Sequence, residues 1–166
     1  LEDGDRTLVC YRDAVEDPLT GVDDARVTVE WASAPVNRPE NRMTGVGFRG
    51  GAGSWLVEGA WRSAEYRVNF PEHWVFEGTG LALGQTFARG SVGYEVDGAD
   101  LVDECGIARA TGRDGAPTTF VVLAVADLGR WRAEGQGGVG TMGIHQSVGT
   151  VFTAASTNWA DTLDTS

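Results

Sequence analysis

The chain has 166 residues, enough for one domain that buries roughly 70% of the surface its unfolded form exposes. Lysine and arginine total 13 against 24 aspartates and glutamates, a formal net charge of −11. This charge repels phosphate backbones and anionic lipid, so we expect neither nucleic acid nor a membrane as a partner. The chain has no lysine, which excludes Schiff-base, pyridoxal and P-loop lysine chemistry.

The cysteines, Cys10 and Cys105, lie far apart and outside any metal-type spacing. We expect two buried thiols rather than one disulfide bridge. No apolar run approaches the ~20 residues of a membrane span, so we expect a soluble, cytoplasmic protein. Because the chain opens on Leu1 and runs directly into an apolar pattern, we expect a fragment of something longer.

Apolar runs, alternating or continuous, predict strands along the whole chain. They fall at residues 6–12, 26–31, 64–70, 91–96, 118–125, 140–146 and 149–155. Residues 13–24 are acidic and predict a solvated loop, and the glycine- and proline-rich residues 32–53 predict mostly irregular structure. The sequence therefore predicts a single domain over residues 1–166 with a strand-rich α+β fold.

The segment 70–80 holds the residues that most resemble a site. Pro71 has the φ of a first helical position and Gly78 can close a helix in the left-handed conformation, so residues 71–77 predict two helical turns. On such a helix His73 and Glu77 share a face. An imidazole and a carboxylate would then lie side by side before a glycine turn.

Other motifs give weaker evidence of a functional site. Two GxGxxG matches, from Gly45 and from Gly135, lack the strand and helix of a dinucleotide site, and chance explains them in a chain with 24 glycines. Most of the six tryptophans are expected in the core, and an exposed minority would suit ligand stacking.

Two metal sites are weaker alternatives. One joins His73, His145 and Glu77 as two histidines and a carboxylate. The other is a calcium site among acidic residues whose spacing matches no recognised loop, and a solvated acidic surface explains that spacing better. These acidic residues are Asp97, Asp100, Asp103 and Glu104.

Six motifs, in this order and spacing, resemble the C-terminal region of the large (beta) subunit of N,N-dimethylformamidase and its relatives. The longest are His-Trp-Val-Phe-Glu-Gly-Thr-Gly at 73–80, Arg-Thr-Leu-Val-Cys-Tyr-Arg at 6–12, Gly-Thr-Val-Phe-Thr-Ala-Ala at 149–155 and Gly-Tyr-Glu-Val-Asp-Gly at 93–98. Arg-Pro-Glu at 38–40 and Thr-Gly-Val at 44–46 complete the set. Together they span nearly the whole chain.

The resemblance implies the C-terminal part of an iron-dependent amidohydrolase. It implies a glutamine-amidotransferase-like α/β layer fold with an added antiparallel β region, and an iron held by two tyrosines and a glutamate in upstream sequence. Tyr11, Tyr66 and Tyr94 match none of the ligand segments. We therefore expect no cofactor in this chain and iron in the complete protein.

By the same resemblance, Glu77 is the catalytic candidate, for proton transfer or substrate orientation. His73, Thr79 and Gly80 are supporting candidates by their proximity to it only. The implied partners are the upstream part of the same polypeptide, a small subunit, a second copy and a small-molecule amide. The isolated chain is expected to be inactive. The alternative function is a non-catalytic, β-rich module that binds carbohydrate or another ligand.

Overall fold

The structure is a computed structural model that describes residues 7–53, 64–129 and 138–162. The chain forms two compact units, residues 1–40 and residues 41–166, and each is described by itself. The strand-rich prediction is confirmed, because the described residues form nine strands and one four-residue α-helix. The single domain over residues 1–166 stays a prediction.

The first unit is organised around the buried carboxylate of Asp17, between short 3-10 helices at Ala14–Glu16 and Asp24–Arg26. Asp17 accepts hydrogen bonds from the backbone amides of Thr28 (2.8 Å) and Leu19 (2.9 Å) and from the Thr28 hydroxyl (2.9 Å). The amide hydrogen bonds from Thr28 and then Leu19 lower the pKa of Asp17.

The strands predicted at residues 6–12 and 26–31 are wrong for the part of each that the structure describes. The Thr28 amide binds Asp17 and the Tyr11 amide binds the Thr28 hydroxyl at 2.9 Å, so side chains take the place of a strand partner.

The second unit holds all nine strands that the described residues form. A five-stranded antiparallel sheet has the order β3-β2-β7-β8-β9, and two antiparallel ribbons pair β1 with β4 and β5 with β6. The elements are α1 (Asn41–Thr44), β1 (Gly47–Gly53), β2 (Ala64–Val68), β3 (Thr86–Val92), β4 (Glu95–Gly98), β5 (Leu101–Glu104), β6 (Ile107–Ala110), β7 (Val121–Asp127), β8 (Val139–Gln146) and β9 (Thr150–Thr153).

Four of the predicted strands are confirmed, in β2, β7, β8 and β9. The strand predicted at residues 91–96 is instead the end of β3 and the start of β4, because Tyr94 has a positive φ of 51° and breaks the run. β1, β5 and β6 are additions to the prediction. β1 lies within the segment that was expected to be irregular, and its sequence is mostly glycine.

Two apolar clusters form the core of this unit. Successive residues of β7 enter different clusters, Leu123 one and Val122 the other, as expected for the two faces of a sheet. The register of β7 on β8 shifts between Val122 and Ala124, so Ala124 joins Leu123 in the first cluster. This first cluster also receives Phe76, from the segment that follows β2.

Glycines allow the main chains of β1, β4 and β8 to approach closely. A Cβ at Gly51 would stand 1.8 Å from the Val96 carbonyl oxygen, and one at Gly138 would stand 2.3 Å from the Gly50 oxygen. A Cβ at Gly45 would lie 2.1 Å from the Phe120 ring. Glycines of the first GxGxxG match therefore serve packing, as expected from the exclusion of a dinucleotide site.

Both cysteines are free and exposed, so their expected burial is wrong. Cys105 lies in the tight turn between β5 and β6, with a positive φ of 57°. Among the described residues, no helix is long and apolar enough to cross a membrane.

We predict that Gly51→Ala lowers the free energy of unfolding by at least about 2 kcal/mol, because a backbone carbonyl cannot move aside as a side chain can. Urea denaturation of the 166-residue chain measures the loss. Gly149→Ala is the matched control, since its Cβ would meet no atom of the described residues within 4 Å, and it should change stability by less than about 1 kcal/mol. Equal effects of the two substitutions would contradict the close approach.

Candidate functional site

The segment that joins β2 to β3 begins at Asn69, which fixes it to the sheet and to the β5–β6 ribbon. The buried Asn69 amide group donates to the carbonyls of Val122 (2.8 Å) and Ala108 (2.9 Å) and accepts from the Ala108 amide (2.7 Å). Its backbone amide donates to the Leu123 carbonyl at 2.8 Å. Nothing in the sequence pattern singled out Asn69, because its partners are distant in sequence.

The predicted pair of helical turns is one 3-10 helix, Trp74–Phe76. His73 is its N-cap in an extended conformation, and the His73 Nδ1 atom accepts a hydrogen bond from the Val75 amide at 3.3 Å. Because this cap turns the imidazole back to its own backbone, the helical pairing predicted for His73 and Glu77 does not form. The left-handed conformation predicted for Gly78 is confirmed, with a φ of 76°.

A 3-10 helix has about three residues per turn, so residues i and i+3 lie one above the other. Trp74 and Glu77 are such a pair, and the Glu77 amide donates to the Trp74 carbonyl at 3.0 Å. Glu77 therefore shares a side of the turn with Trp74.

The inner side of this turn is anchored in the core. Phe76 is buried in the first cluster, and its ring meets Phe87 edge-on at a centroid distance of 5.7 Å. The Thr79 hydroxyl donates to the Phe76 carbonyl at 2.7 Å and accepts from the Leu81 amide at 3.2 Å. Gly80 has a φ of 69°, which favours glycine.

The outer side of the turn carries a row of three rings. The His73 ring lies 5.9 Å from that of Phe70 and 5.5 Å from that of Trp74, between centroids. Trp74 is 65% exposed, and Glu77 is exposed. Neither Glu77 nor Glu72 forms an ion pair or a side-chain hydrogen bond with any residue that the structure describes.

The turn thus brings together the four residues singled out in the sequence, His73, Glu77, Thr79 and Gly80. Desolvation lowers the pKa of His73, so its imidazole is neutral at pH 7. Thr79 and Gly80 shape the turn. The catalytic role of Glu77 stays a prediction.

His145 belongs to another part of the fold. On β8 its Nε2 atom lies 3.1 Å from the Met43 carbonyl oxygen, and because a carbonyl only accepts, Nε2 donates. Its Nδ1 atom is buried and has no hydrogen-bond partner among the residues that the structure describes. The metal site of His73, His145 and Glu77 is wrong, because no three His, Cys, Asp or Glu side chains in the described part of the chain are grouped to hold a metal.

Tyr66 and the acidic residues have structural roles. The buried Tyr66 hydroxyl donates to the Ala154 carbonyl, and desolvation, with a smaller contribution from Asp97, raises the pKa of Tyr66. Asp100 binds the Nε atom of Arg113 at 2.7 Å, and the hydrogen bond from Arg113 lowers the pKa of Asp100. The calcium alternative is also wrong for the described residues, because no group of His, Cys, Asp or Glu side chains among them could hold a metal.

Trp74 and Trp31, which is 62% exposed, belong to the exposed minority, and the expectation that most tryptophans are in the core stays a prediction. Trp159 is half-buried, and its ring lies 6.2 Å from that of Tyr66. The other three tryptophans, Trp55, Trp61 and Trp131, lie outside the described residues.

The family model described as "N,N-dimethylformamidase beta subunit-like, C-terminal" matches residues 1–166. The chain belongs to this family. Comparisons with curated proteins and with solved structures found no match. In this dimethylformamidase-like chain, the motif at residues 73–80 forms the anchored turn, with Phe76 inside and Glu77 outside.

We predict that His73 makes stability depend on pH. Its pKa in the folded chain lies below the unfolded value of 6.5, so on acidification the unfolded chain binds the proton first. The stability associated with neutral His73 is therefore present above pH 6.5 and is lost as the pH falls through that value towards the folded pKa.

His73→Asn keeps a side-chain acceptor at the N-cap and removes the titration. Urea denaturation at pH 7.5 and pH 5.5 should show a smaller loss of stability for this variant than for the unmodified chain. Every other titratable group is the same in the two proteins, so the difference isolates His73. Equal losses would contradict the assignment.

Proposed function

We propose that this chain is the C-terminal, β-rich part of a cytoplasmic amide hydrolase similar to N,N-dimethylformamidase, which cleaves the C–N bond of a small amide. Membership of the family over residues 1–166 supports this proposal. The observation that extends the proposal to a particular residue is the anchored turn. This turn exposes the Glu77 carboxylate of the motif on its outer side.

Glu77 would act as a proton carrier or as an orienting group. As a carrier, its carboxylate takes a proton from the water that attacks the amide carbon and then delivers it to the nitrogen that leaves when the C–N bond breaks. Such chemistry needs partial desolvation, which raises a carboxylate pKa. Because Glu77 is exposed on this chain, another part of the complete protein must cover it.

The upstream part of the polypeptide is the first candidate for that cover, with a small subunit or a second copy as further candidates. We place the glutamine-amidotransferase-like layer there as well, and assign this chain to the antiparallel β region. The isolated chain would then be inactive.

The resemblance implies iron in the complete protein. The described residues hold no His, Cys, Asp or Glu cluster for a metal, and the Tyr66 hydroxyl is bound to Ala154. We therefore assign no ligand to this chain and derive no step through the metal.

We predict that Glu77→Gln in the complete protein lowers kcat for amide hydrolysis about 100-fold or more, because glutamine cannot carry the proton. Glu72→Gln is the matched control, since Glu72 is exposed on the same segment and should leave kcat unchanged. Steady-state kinetics measure both. A Glu77→Gln enzyme within about twofold of wild type would remove Glu77 from the mechanism.

The second candidate function is a non-catalytic module that binds carbohydrate or another ligand. The exposed ring of Trp74, held on an anchored turn, favours it. Metal analysis of the complete protein and a glycan array separate the two. Stoichiometric iron favours the hydrolase, and a metal-free protein that retains a glycan favours the module.

A further inference from the structure

The Trp74 indole and the Glu77 carboxylate lie on one side of a turn that the core holds in place. Both side chains are exposed, and the carboxylate has no partner among the residues that the structure describes. Phe76 packs into the core on the inner side, and Asn69 is hydrogen-bonded at the start of the segment. Both fix the backbone of the turn, so the backbone that carries Trp74 and Glu77 is ordered. An anchored, exposed tryptophan beside an unpaired carboxylate is suited to binding.

The chemistry of the pair selects for positive charge. The face of an indole ring attracts a cation, and a tryptophan is the strongest such ring. The Glu77 carboxylate on the same side adds a negative charge that attracts a cation. Among the residues that the structure describes, no arginine forms an ion pair with it. A neutral sugar would stack on the ring but would gain no charge attraction from that carboxylate.

The surroundings favour the same ligand. His73, whose ring is next to that of Trp74, is neutral at pH 7 because burial lowers its pKa, so it does not repel a cation. The net charge of −11 raises the local concentration of cations around the whole chain.

We propose that Trp74 and Glu77 form a binding site for an organic cation, and that the substrates of this enzyme are small amides carrying an ammonium or quaternary ammonium group. The substrate part rests on the proposed function. Trp74 would hold the charged group, and Glu77 would act in the second of its two proposed roles, as the group whose carboxylate orients the substrate.

The binding part is tested on the 166-residue chain with tetramethylammonium chloride. The indole N–H signals of the tryptophans in a ¹H–¹⁵N spectrum report the contact, and Trp74→Phe identifies the signal of Trp74. We expect tetramethylammonium, and not the neutral tert-butanol, to shift that signal with saturation.

Glu77→Gln should weaken tetramethylammonium binding about threefold, near the middle of the range that one lost charge contact gives at an exposed site. Trp31→Leu, which removes a tryptophan of similar exposure in the other unit, should leave the binding unchanged. No shift of the Trp74 signal, or equal shifts with tert-butanol, would overturn the cation site.

The substrate part is tested on the complete protein with two amides of the same shape. Betaine amide carries a quaternary nitrogen where 3,3-dimethylbutanamide carries a carbon, and each reacts with one water to give its carboxylic acid and ammonia. We expect kcat/KM to be at least about tenfold higher for betaine amide, mostly through KM, and Trp74→Leu to reduce that preference.

Equal kcat/KM for the two amides overturns this inference and leaves the proposed hydrolase standing. Tetramethylammonium binding at Trp74 without hydrolysis of any amide by the complete, iron-loaded protein leaves the cation site standing and overturns the hydrolase.

Discussion

The close approach of the β1, β4 and β8 main chains is the constraint on which the larger unit depends. A methyl group at Gly51 would overlap the Val96 carbonyl, and one at Gly98 would stand 2.3 Å from the Val139 oxygen. Because glycine stands at these positions, the β1–β4 ribbon lies directly against the start of β8. This contact lets Val96 pack into the same apolar cluster as Met142 of the sheet.

Asn69 connects the segment of the candidate site to the strands of the larger unit. The Asn69 amide binds β6 and β7 at once, so the segment leaves the sheet in one direction, and Phe76 returns it to the core. Ordering Trp74 and Glu77 therefore costs little further conformational entropy on binding, because the backbone that carries them is already fixed.

Much of the sheet follows from the sequence, because the apolar runs of β7 and β8 are long and regular. β1 was missed because glycine is a strand breaker by propensity, whereas here it is required by the distance to β4. The strands expected at 6–12 and 26–31 failed because Asp17 captures the backbone of Thr28. In the site, the helix is a 3-10 helix with about three residues per turn instead of 3.6. Glu77 therefore lies on the side of Trp74 rather than on that of His73. Asn69 was beyond prediction, since its partners Ala108 and Val122 lie 39 and 53 residues away.

The segment from β9 to Thr157 hydrogen-bonds to two sheets in turn. Residues 150–153 pair with β8, and the chain then crosses to β4, where the Asp97 amide donates to the Ala155 carbonyl at 2.9 Å and the Thr157 amide to the Glu95 carbonyl at 3.1 Å. A shared segment couples the opening of one sheet to that of the other. Amide protons of β4 and β8 should consequently exchange with solvent in a single cooperative event, so the ribbon has no separate melting of its own.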